Sequence, residues 1–175
     1  MEGTAPRRLT LSDYQLHADE MAVFLLGKWL CVEKDGVLRR FRITETECYM
    51  GEKDTACHAA RGKTPRNEVM YRRGGYAYVY LCYGMHNLLN IVTGPADFPE
   101  AVLIRGVTGI SGPGRVTKAL GVTRDENGAD LSVSSVIYLE DDGEKPSYGA
   151  FPRVGIDYAA PEDRDRLWRF IIEGS

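Results

Sequence analysis

Residues 28–50 read KWLCVEKDGVLRRFRITETECYM, and this stretch carries the clearest structural signal in the chain. Two runs rich in β-branched and aromatic residues flank Lys34-Asp35-Gly36, and Asp-Gly between such runs predicts a β-hairpin. The second run alternates between two faces from Val37 onward. The alternation stops near Glu45, so we expect this strand to end there.

Helical and β segments are interspersed along the rest of the chain. Helices are predicted within residues 11–27, after Thr64-Pro65, and within residues 111–121, and further β runs are predicted within residues 74–94, 100–107, 136–140 and 167–174. Several connections are short enough for hairpins. We therefore expect an α+β fold: a single mixed domain over residues 1–175, built around a curved, mostly antiparallel sheet with a protruding β-hairpin, and with residues 1–8 flexible.

Composition excludes several classes of protein. The chain is 43% apolar and 27% charged, which is typical of globular proteins rather than disordered ones. No apolar run approaches the ~20 residues that span a bilayer, and the first residues lack the apolar core of a secretory signal. Cys31, Cys48, Cys57 and Cys82 show no C-x-x-C spacing, so we expect reduced thiols. We expect a cytoplasmic, nucleoid-associated protein of a bacterium, or a nuclear protein if the source is eukaryotic.

Charge is unevenly distributed along the chain. Residues 1–123 carry a net charge of +3 and residues 124–175 a net charge of −6, although the whole chain carries only −3. Residues 61–73, RGKTPRNEVMYRR, hold five basic side chains and one acidic side chain. Such a cluster suits a local contact with a polyanion, and a solvated loop explains it equally well.

Two acidic residues fall where the second strand runs out. Alternation places Glu45 and Glu47 on the same face as Phe41 and Ile43, and a carboxylate on an apolar face is costly unless it is paired or functional. Arg105, alone in the apolar run AVLIRGV, is the obvious partner for Glu47. The alternative is a strand that has left the core and ends in solvent.

Aromatic and polar residues of the 74–94 region form a second candidate site. Tyr76, Tyr78 and Tyr80 share one face of a strand, which is more often a half-buried sheet surface than a binding platform. Tyr83-Gly84-Met85 places an aromatic ring and a thioether at a turn, an arrangement that suits wedging into stacked bases. Asn90 needs a hydrogen-bond partner within its apolar strand. His58 could be a ligand, a base or part of a turn.

These segments together resemble the alkyladenine (3-methyladenine, or methylpurine) DNA glycosylase family. The motifs that carry the resemblance are E-T-E-x-Y at 45–49, H-x-x-R-G-x-T-P-R-N at 58–67, Y-V-Y-x-x-Y-G-M at 78–85 and S-G-P-G at 111–114, and the match runs in order from about Phe24 to Phe170. The resemblance implies a base-excision repair enzyme that flips a damaged purine out of duplex DNA and cleaves its glycosidic bond. It also implies a hairpin that enters the minor groove.

The resemblance also implies roles for individual residues. Glu47 activates the attacking water, which Arg105 and the backbone carbonyl of Val154 help to hold. Tyr49 and Tyr80 sandwich the flipped base, His58 closes the pocket and bonds the base edge, and Asn90 disfavours the 2-amino group of guanine. Tyr83 is the wedge that fills the gap in the stack, with Met85 beside it. Further DNA contacts are expected from Lys63, Arg66, Arg115 and Lys118.

The implied enzyme is a monofunctional hydrolase without metal or cofactor. It would act as a monomer on double-stranded DNA with damaged purines, alkylated or deaminated, without contacting a membrane. No lysine falls among the matched site residues, and a lyase needs a lysine amine to form a Schiff base. The segment between Arg105 and Ser111 is shorter than in the relatives considered.

Two other classes of function are also compatible with the sequence. One is a nucleic-acid-binding module that has kept the fold and lost catalysis. The other is a metal-dependent hydrolase built on Cys57, His58, Cys82 and His86. Retention of excision in the presence of a chelator would exclude the metal-dependent enzyme.

Overall fold

A computed structural model describes residues 5–175. Its strands are β1 (Arg7–Arg8), β2 (Trp29–Lys34), β3 (Val37–Met50), β4 (Ala77–Cys82), β5 (His86–Thr93), β6 (Glu100–Val107), β7 (Ile110–Ser111), β8 (Ile137–Asp141), β9 (Tyr148–Phe151) and β10 (Arg169–Ile172). The α-helices are α1 (Ala18–Phe24), α2 (Pro113–Leu120) and α3 (Pro161–Arg164), and 3₁₀ turns lie at Leu11–Gln15, Glu68–Tyr71 and Arg124–Glu126.

The described strands form one large antiparallel sheet. Its main path runs β1-β8-β2-β3-β6-β5-β4, with β7 paired to β6, β10 paired to β3, and β9 paired to β10. Helices α1 and α2 pack against it, α1 on β3 and β6 and α2 on β5 and β6. The predicted α+β class with a mostly antiparallel sheet is confirmed.

Strand β3 is the organising element of the sheet because it changes partners along its length. Its first part pairs with β2 through the Asp35-Gly36 turn, as predicted, and both turn residues have positive φ. Its second part lies between β6 and β10. Strand β3 runs to Met50, so the expected end near Glu45 is wrong.

A β-bulge explains this difference. The register with β6 shifts between Ile43 and Glu45 and again between Glu45 and Thr46, and an extra residue in a strand interrupts simple alternation. Ile43 packs in the main core with Cys48, whereas Glu47 faces the opposite side of the sheet. The expectation that Glu47 shares a face with Ile43 is therefore wrong, and so is the alternative of a strand that ends in solvent, since Glu47 is fully buried.

Other predicted elements are shifted in smaller ways. Helix α2 ends at Leu120 and is capped by Gly121, which adopts the left-handed conformation (φ 74°) that favours glycine, as expected. The helix predicted at Thr64-Pro65 is a 3₁₀ turn that begins only at Glu68. Strand β9 was not predicted. Of the segment expected to be flexible, residues 1–4 lie outside the described part of the chain, and Arg7–Arg8 pair with β8.

Candidate active site

One row of paired residues crosses four strands and defines the floor of a cleft. Glu47 on β3 is paired with Leu103 on β6, Leu103 with Asn90 on β5, and Asn90 with Tyr78 on β4. Directly paired residues of antiparallel strands point to the same face. The side chains two positions further along these strands therefore face the cleft too, and they are Tyr49, Arg105, Leu88 and Tyr80.

The cleft has a volume of about 610 Å³ and is lined mainly by aromatic and apolar side chains. A few polar groups converge inside it, which is the usual character of a small-molecule or base-binding site. All the residues expected to form the catalytic centre and base pocket lie along it: Glu47, Tyr49, His58, Tyr80, Asn90, Arg105 and Val154. The structure thus brings together residues from four strands and two loops.

Glu47 is the most buried polar group of the cleft, with 0% of its surface exposed. One carboxylate oxygen accepts a hydrogen bond from the Tyr49 hydroxyl (3.0 Å), and the other accepts one from the Val154 backbone N–H (2.7 Å). Burial raises the pKa of Glu47, while the Arg105 guanidinium and the Val154 N–H oppose that rise. Glu47 is therefore a carboxylate that two hydrogen bonds fix in position and that is more basic than an ordinary glutamate.

Arg105 lies between two carboxylates. Its Nε is 3.4 Å from Glu45 Oε1, and its Nη1 is 3.7 Å from Glu47 Oε1. Arg169 on β10 also contacts Glu45 Oε1, at 3.1 Å. The expected pairing of Arg105 with Glu47 is present, but Glu45 is the nearer partner. Glu45 thereby fixes the guanidinium that faces Glu47.

Aromatic rings form one wall of the cleft. The ring centroids of His58 and Tyr80 are 4.3 Å apart in an edge-to-face arrangement, and those of Tyr78 and Tyr80 are 5.5 Å apart. His58 Nδ1 lies 3.0 Å from the Tyr78 hydroxyl. Although His58 is exposed toward the cleft, desolvation by its neighbours and the nearby Arg66 lower the pKa of its imidazole. A neutral imidazole presents one donor and one acceptor, so His58 can bond a base edge.

Asn90 is buried in the cleft floor, and its amide nitrogen donates to the backbone carbonyl of Tyr78 at 3.3 Å. This bond satisfies the requirement that a polar residue in an apolar strand be hydrogen-bonded. It also restricts rotation of the amide, so the side chain keeps a defined shape at the bottom of the cleft.

The turn between β4 and β5 exposes the two apolar residues that the sequence singled out. Tyr83 is 92% exposed and Met85 is 71% exposed. Tyr83 (φ 51°) and Gly84 (φ 67°) both have positive φ, and the Met85 N–H bonds the Cys82 carbonyl, as in a tight hairpin turn. A bulky residue rarely adopts this conformation, so Tyr83 occupies a strained position at the cleft mouth.

Four basic side chains expected to contact DNA are exposed, and two of them have a defined place near this turn. Arg66 donates to the Leu81 carbonyl (3.0 Å) at the base of the hairpin, and Arg115 in the first turn of α2 lines the cleft. Lys118 is exposed on the same helix. Lys63 lies over the Tyr71 ring, 5.5 Å from its centroid.

Sequence reasoning missed two residues of the loop that follows β9. Arg153 is buried behind Tyr49, and Tyr158 lines the cleft while its hydroxyl donates to the Ala56 carbonyl at 2.8 Å. No local spacing signals them, because they reach the site only when residues 152–158 fold back onto residues 54–58. Of the four residues of the metal alternative, His58, Cys82 and His86 line the cleft and Cys57 does not. Residues 5–175 contain no group of three potential ligands placed to hold a metal ion.

Comparison with known proteins identifies the family to which the chain belongs. A family model for methylpurine-DNA glycosylase matches residues 12–111 and 108–175. The two matches meet at the tight turn between β6 and β7, where the sequence predicts a segment shorter than in the relatives considered. The two matches to the family model identify the class of the protein: it is a DNA glycosylase, an enzyme of DNA repair. The chain belongs to the methylpurine-DNA glycosylase family, and the predicted resemblance is confirmed.

Individual relatives extend over most of the chain. A protein of Methanocella arvoryzae is 43% identical over 176 residues, which cover 89% of this chain and 88% of the relative. One of Psychrobacter cryohalolentis is 41% identical, covering 86% and 85%, and one of Myxococcus xanthus is 46% identical, covering 82% and 80%. Each carries the name "Putative 3-methyladenine DNA glycosylase". No described helix is both long and apolar enough to cross a membrane.

Proposed function

We propose that this protein hydrolyses the N-glycosidic bond of damaged purines, alkylated or deaminated, that it flips out of duplex DNA. The single observation that carries the proposal is the position of Glu47, fully buried at the floor of an aromatic cleft and hydrogen-bonded on both carboxylate oxygens. The names of the relatives agree with 3-methyladenine as one such base.

Glu47 supplies the chemistry of bond cleavage. Breaking the bond between C1′ and the base builds positive charge on the sugar, and a nearby carboxylate stabilises that charge and takes a proton from the attacking water. A carboxylate with a raised pKa is a stronger base, so burial of Glu47 serves this step. Arg105 and the Val154 carbonyl hold the water. The water oxygen bonds to C1′, the base leaves with the bonding electrons, and Glu47 receives the proton.

The aromatic wall binds the flipped base. Tyr49 and Tyr80 stack on its two faces, and His58, in contact with Tyr80, bonds its edge. An alkylated purine carries positive charge, which the faces of tyrosine rings attract. It is also a good leaving group, and damage lowers the cost of extruding it from the helix.

Asn90 limits which bases enter. Its buried and restrained side chain leaves no room for the 2-amino group of guanine, or leaves that group without a partner. Exclusion by a clash or an unpaired donor is an effective means of discrimination.

The exposed hairpin and its basic neighbours hold the DNA. The β4–β5 hairpin protrudes from a curved sheet and enters the minor groove, where the Tyr83 ring takes the place of the extruded nucleotide and Met85 packs beside it. Lys63, Arg66, Arg115 and Lys118 contact phosphates of the duplex. One monomer with one cleft suffices for this arrangement.

The cleft favours hydrolysis without strand cleavage. Within the described residues 5–175, no lysine lines the cleft, and a lyase mechanism needs an amine to form a Schiff base with C1′. The product is then a free base and an abasic site in an intact strand.

One assay tests the proposal. Duplexes carrying 3-methyladenine, 7-methylguanine, hypoxanthine or ethenoadenine are incubated with the protein, the free base is measured by chromatography, and the strand is analysed before and after alkali. We expect base release from at least one duplex, with strand breaks only after alkali. Absence of release from all four, or breaks without alkali, would overturn the proposed reaction.

A further inference from the structure

Arg153 is a buried cation behind the cleft wall that Tyr49 forms, with 0% of its side chain exposed. Its two terminal nitrogens bind the two carboxylate oxygens of Asp54 at 2.6 and 3.0 Å. A paired, two-point contact of this kind fixes the plane of the guanidinium as well as its position. The loop that carries Arg153 is therefore attached to the segment after β3.

Further contacts attach Arg153 to the rest of the site. The same two nitrogens donate to the backbone carbonyls of Cys48 (3.1 Å) and Asp163 (3.2 Å). The guanidinium carbon lies 5.1 Å from the centre of the Tyr49 ring and 4.9 Å from that of Trp168. Arg153 thus supports the back of the residue proposed as one wall of the base pocket.

The residue after Arg153 is Val154, whose N–H bonds Glu47 at 2.7 Å. The Val154 amide is joined directly to Arg153 by one peptide bond, so the anchor determines where the amide points. We propose that Arg153, held by Asp54, is a positioning residue that sets the Val154 amide against Glu47 and holds Tyr49 in place. The inference rests on the proposed function, in which Glu47 is the base.

Stability alone does not account for this pair. Buried ion pairs contribute little net stability compared with packed apolar side chains, because both charges lose their hydration. A buried ion pair next to a catalytic carboxylate can instead fix the position of that carboxylate. Such positioning matters because displacement of a catalytic group by about 1 Å can cost on the order of 100-fold in rate.

Several groups face Glu47 and set its pKa, and this pKa is the quantity that reports a change at Arg153. They are Tyr49 on the same strand, Arg105 on β6, Tyr80 on β4, and Arg153, Val154 and Tyr158 on the loop. The Val154 hydrogen bond favours the ionised carboxylate and keeps the pKa of Glu47 below the value that burial alone would give. Loss of this bond raises the pKa of Glu47.

Two substitutions distinguish the effect of the position of the Arg153 guanidinium from the effect of charge near Glu47. Arg153→Lys keeps the positive charge and loses the two-point contact. Asp54→Asn loosens Arg153 and removes a negative charge, and that removal by itself would lower the pKa of Glu47. A rise in the pKa of Glu47 in both variants therefore cannot come from the change in net charge, and it reports displacement of Arg153 together with the amide that follows it.

Lys28→Met is the matched control. Lys28 is also a buried cation, 3.3 Å from a carboxylate oxygen of Asp141, but it lies at the β2–β8 end of the sheet and has no contact with the cleft. Its loss should destabilise the fold without altering the site.

The experiment titrates Glu47 by carbon-13 NMR of its carboxyl group, assigned by comparison with Glu47→Gln, and measures single-turnover excision against pH. Both Arg153→Lys and Asp54→Asn should raise the pKa of Glu47, move the acidic limb of the rate profile to higher pH and slow excision about 10- to 100-fold near neutral pH. Lys28→Met should lower only the melting temperature.

Two results would overturn the positioning role. In one, Arg153→Lys changes the melting temperature alone. In the other, Asp54→Asn lowers the pKa of Glu47. Because the NMR titration needs no activity, failure of the proposed function gives a different result: the pKa of Glu47 moves in the variants while the wild-type protein releases no base.

Discussion

The hydroxyl of Tyr49 donates a 3.0 Å hydrogen bond to Glu47, two residues earlier on the same strand. The two side chains share a face because side chains of a β-strand alternate. One tyrosine therefore has two separable parts: the ring forms a wall of the cleft, and the hydroxyl holds the carboxylate at its floor.

The two parts of Tyr49 can be tested separately. Tyr49→Phe keeps the wall and removes a hydrogen bond to a charged group, which is worth roughly 1.5–3 kcal/mol, so excision should slow about 10- to 100-fold with lesion binding nearly unchanged. Tyr49→Leu removes the ring as well and should also weaken lesion binding. Single-turnover rates and binding titrations check this. Equal lesion binding by both variants would mean that the ring does not contact the base.

Glu47 should make the fold less stable at neutral pH. Burial raises the pKa of Glu47, so the folded protein binds a proton more tightly than the unfolded chain does. The stability from this group is complete below the ordinary glutamate pKa of about 4.3 and is lost as pH rises through the higher folded value. Glu47→Gln should therefore be more stable than wild type at pH 7, with the difference closing toward pH 4 in urea unfolding.

Glu45→Gln is the control for this prediction, because Glu45 lies two residues away and is paired with Arg105 and Arg169. That variant should not be more stable than wild type at pH 7. A stability gain in Glu45→Gln but not in Glu47→Gln would mean that the burial of Glu47 carries no cost.

Local sequence signals predicted much of the fold. Asp35-Gly36 correctly predicts the β2–β3 hairpin, and Gly121 correctly predicts the end of α2, because a turn or a helix end depends on a few adjacent residues. The bulge at Glu45 could not be predicted, since it arises from pairing with β6, which lies about 60 residues further on. Strand β9 could not be predicted for the same reason, because among the described strands it pairs with β10 alone.

The residues of the site also fall into two groups, those that local motifs predict and those that depend on contacts between distant parts of the chain. Glu47, Tyr49, His58, Tyr80, Asn90 and Arg105 were found through motifs, and the cleft brings them together. Arg153 and Asp54 were missed because an ion pair between residues 99 positions apart leaves no periodic signal. The hydrogen bond from the Val154 backbone N–H to Glu47 was likewise not predicted. For Val154, only the backbone carbonyl was expected to contribute, by holding the attacking water.

Asn90 provides a test of base selection. Asn90→Ser shortens a buried side chain at the cleft floor and should raise excision of guanine-type bases relative to adenine-type bases by at least about tenfold. Asn87→Ser makes the same change three residues earlier on β5, outside this cleft, and should leave the ratio unchanged. If the ratio is the same in Asn90→Ser as in wild type, another residue limits entry.

Tyr83 provides a test of DNA contact that is independent of the chemistry. Asparagine tolerates positive φ better than tyrosine, so Tyr83→Asn should keep or raise the melting temperature, by relief of about 1 kcal/mol of backbone strain. Loss of stacking, worth ~1–3 kcal/mol, should weaken the flipped complex roughly 5- to 150-fold. Single-turnover excision should fall most for a well-paired lesion and least for a mismatched one. Equal losses on the two duplexes would remove Tyr83 from the flipping step.

The most direct test of the account is single-turnover excision by Glu47→Gln. Glutamine keeps the size of the side chain and an oxygen for the Val154 N–H, but it cannot take a proton from water or balance charge on the sugar. General-base assistance alone is worth ~10²–10⁴ in rate, and charge stabilisation adds to it. We predict that the variant binds lesion-containing duplex as tightly as wild type and excises several orders of magnitude more slowly. Excision at a rate close to that of wild type would contradict the assignment of Glu47 as the base.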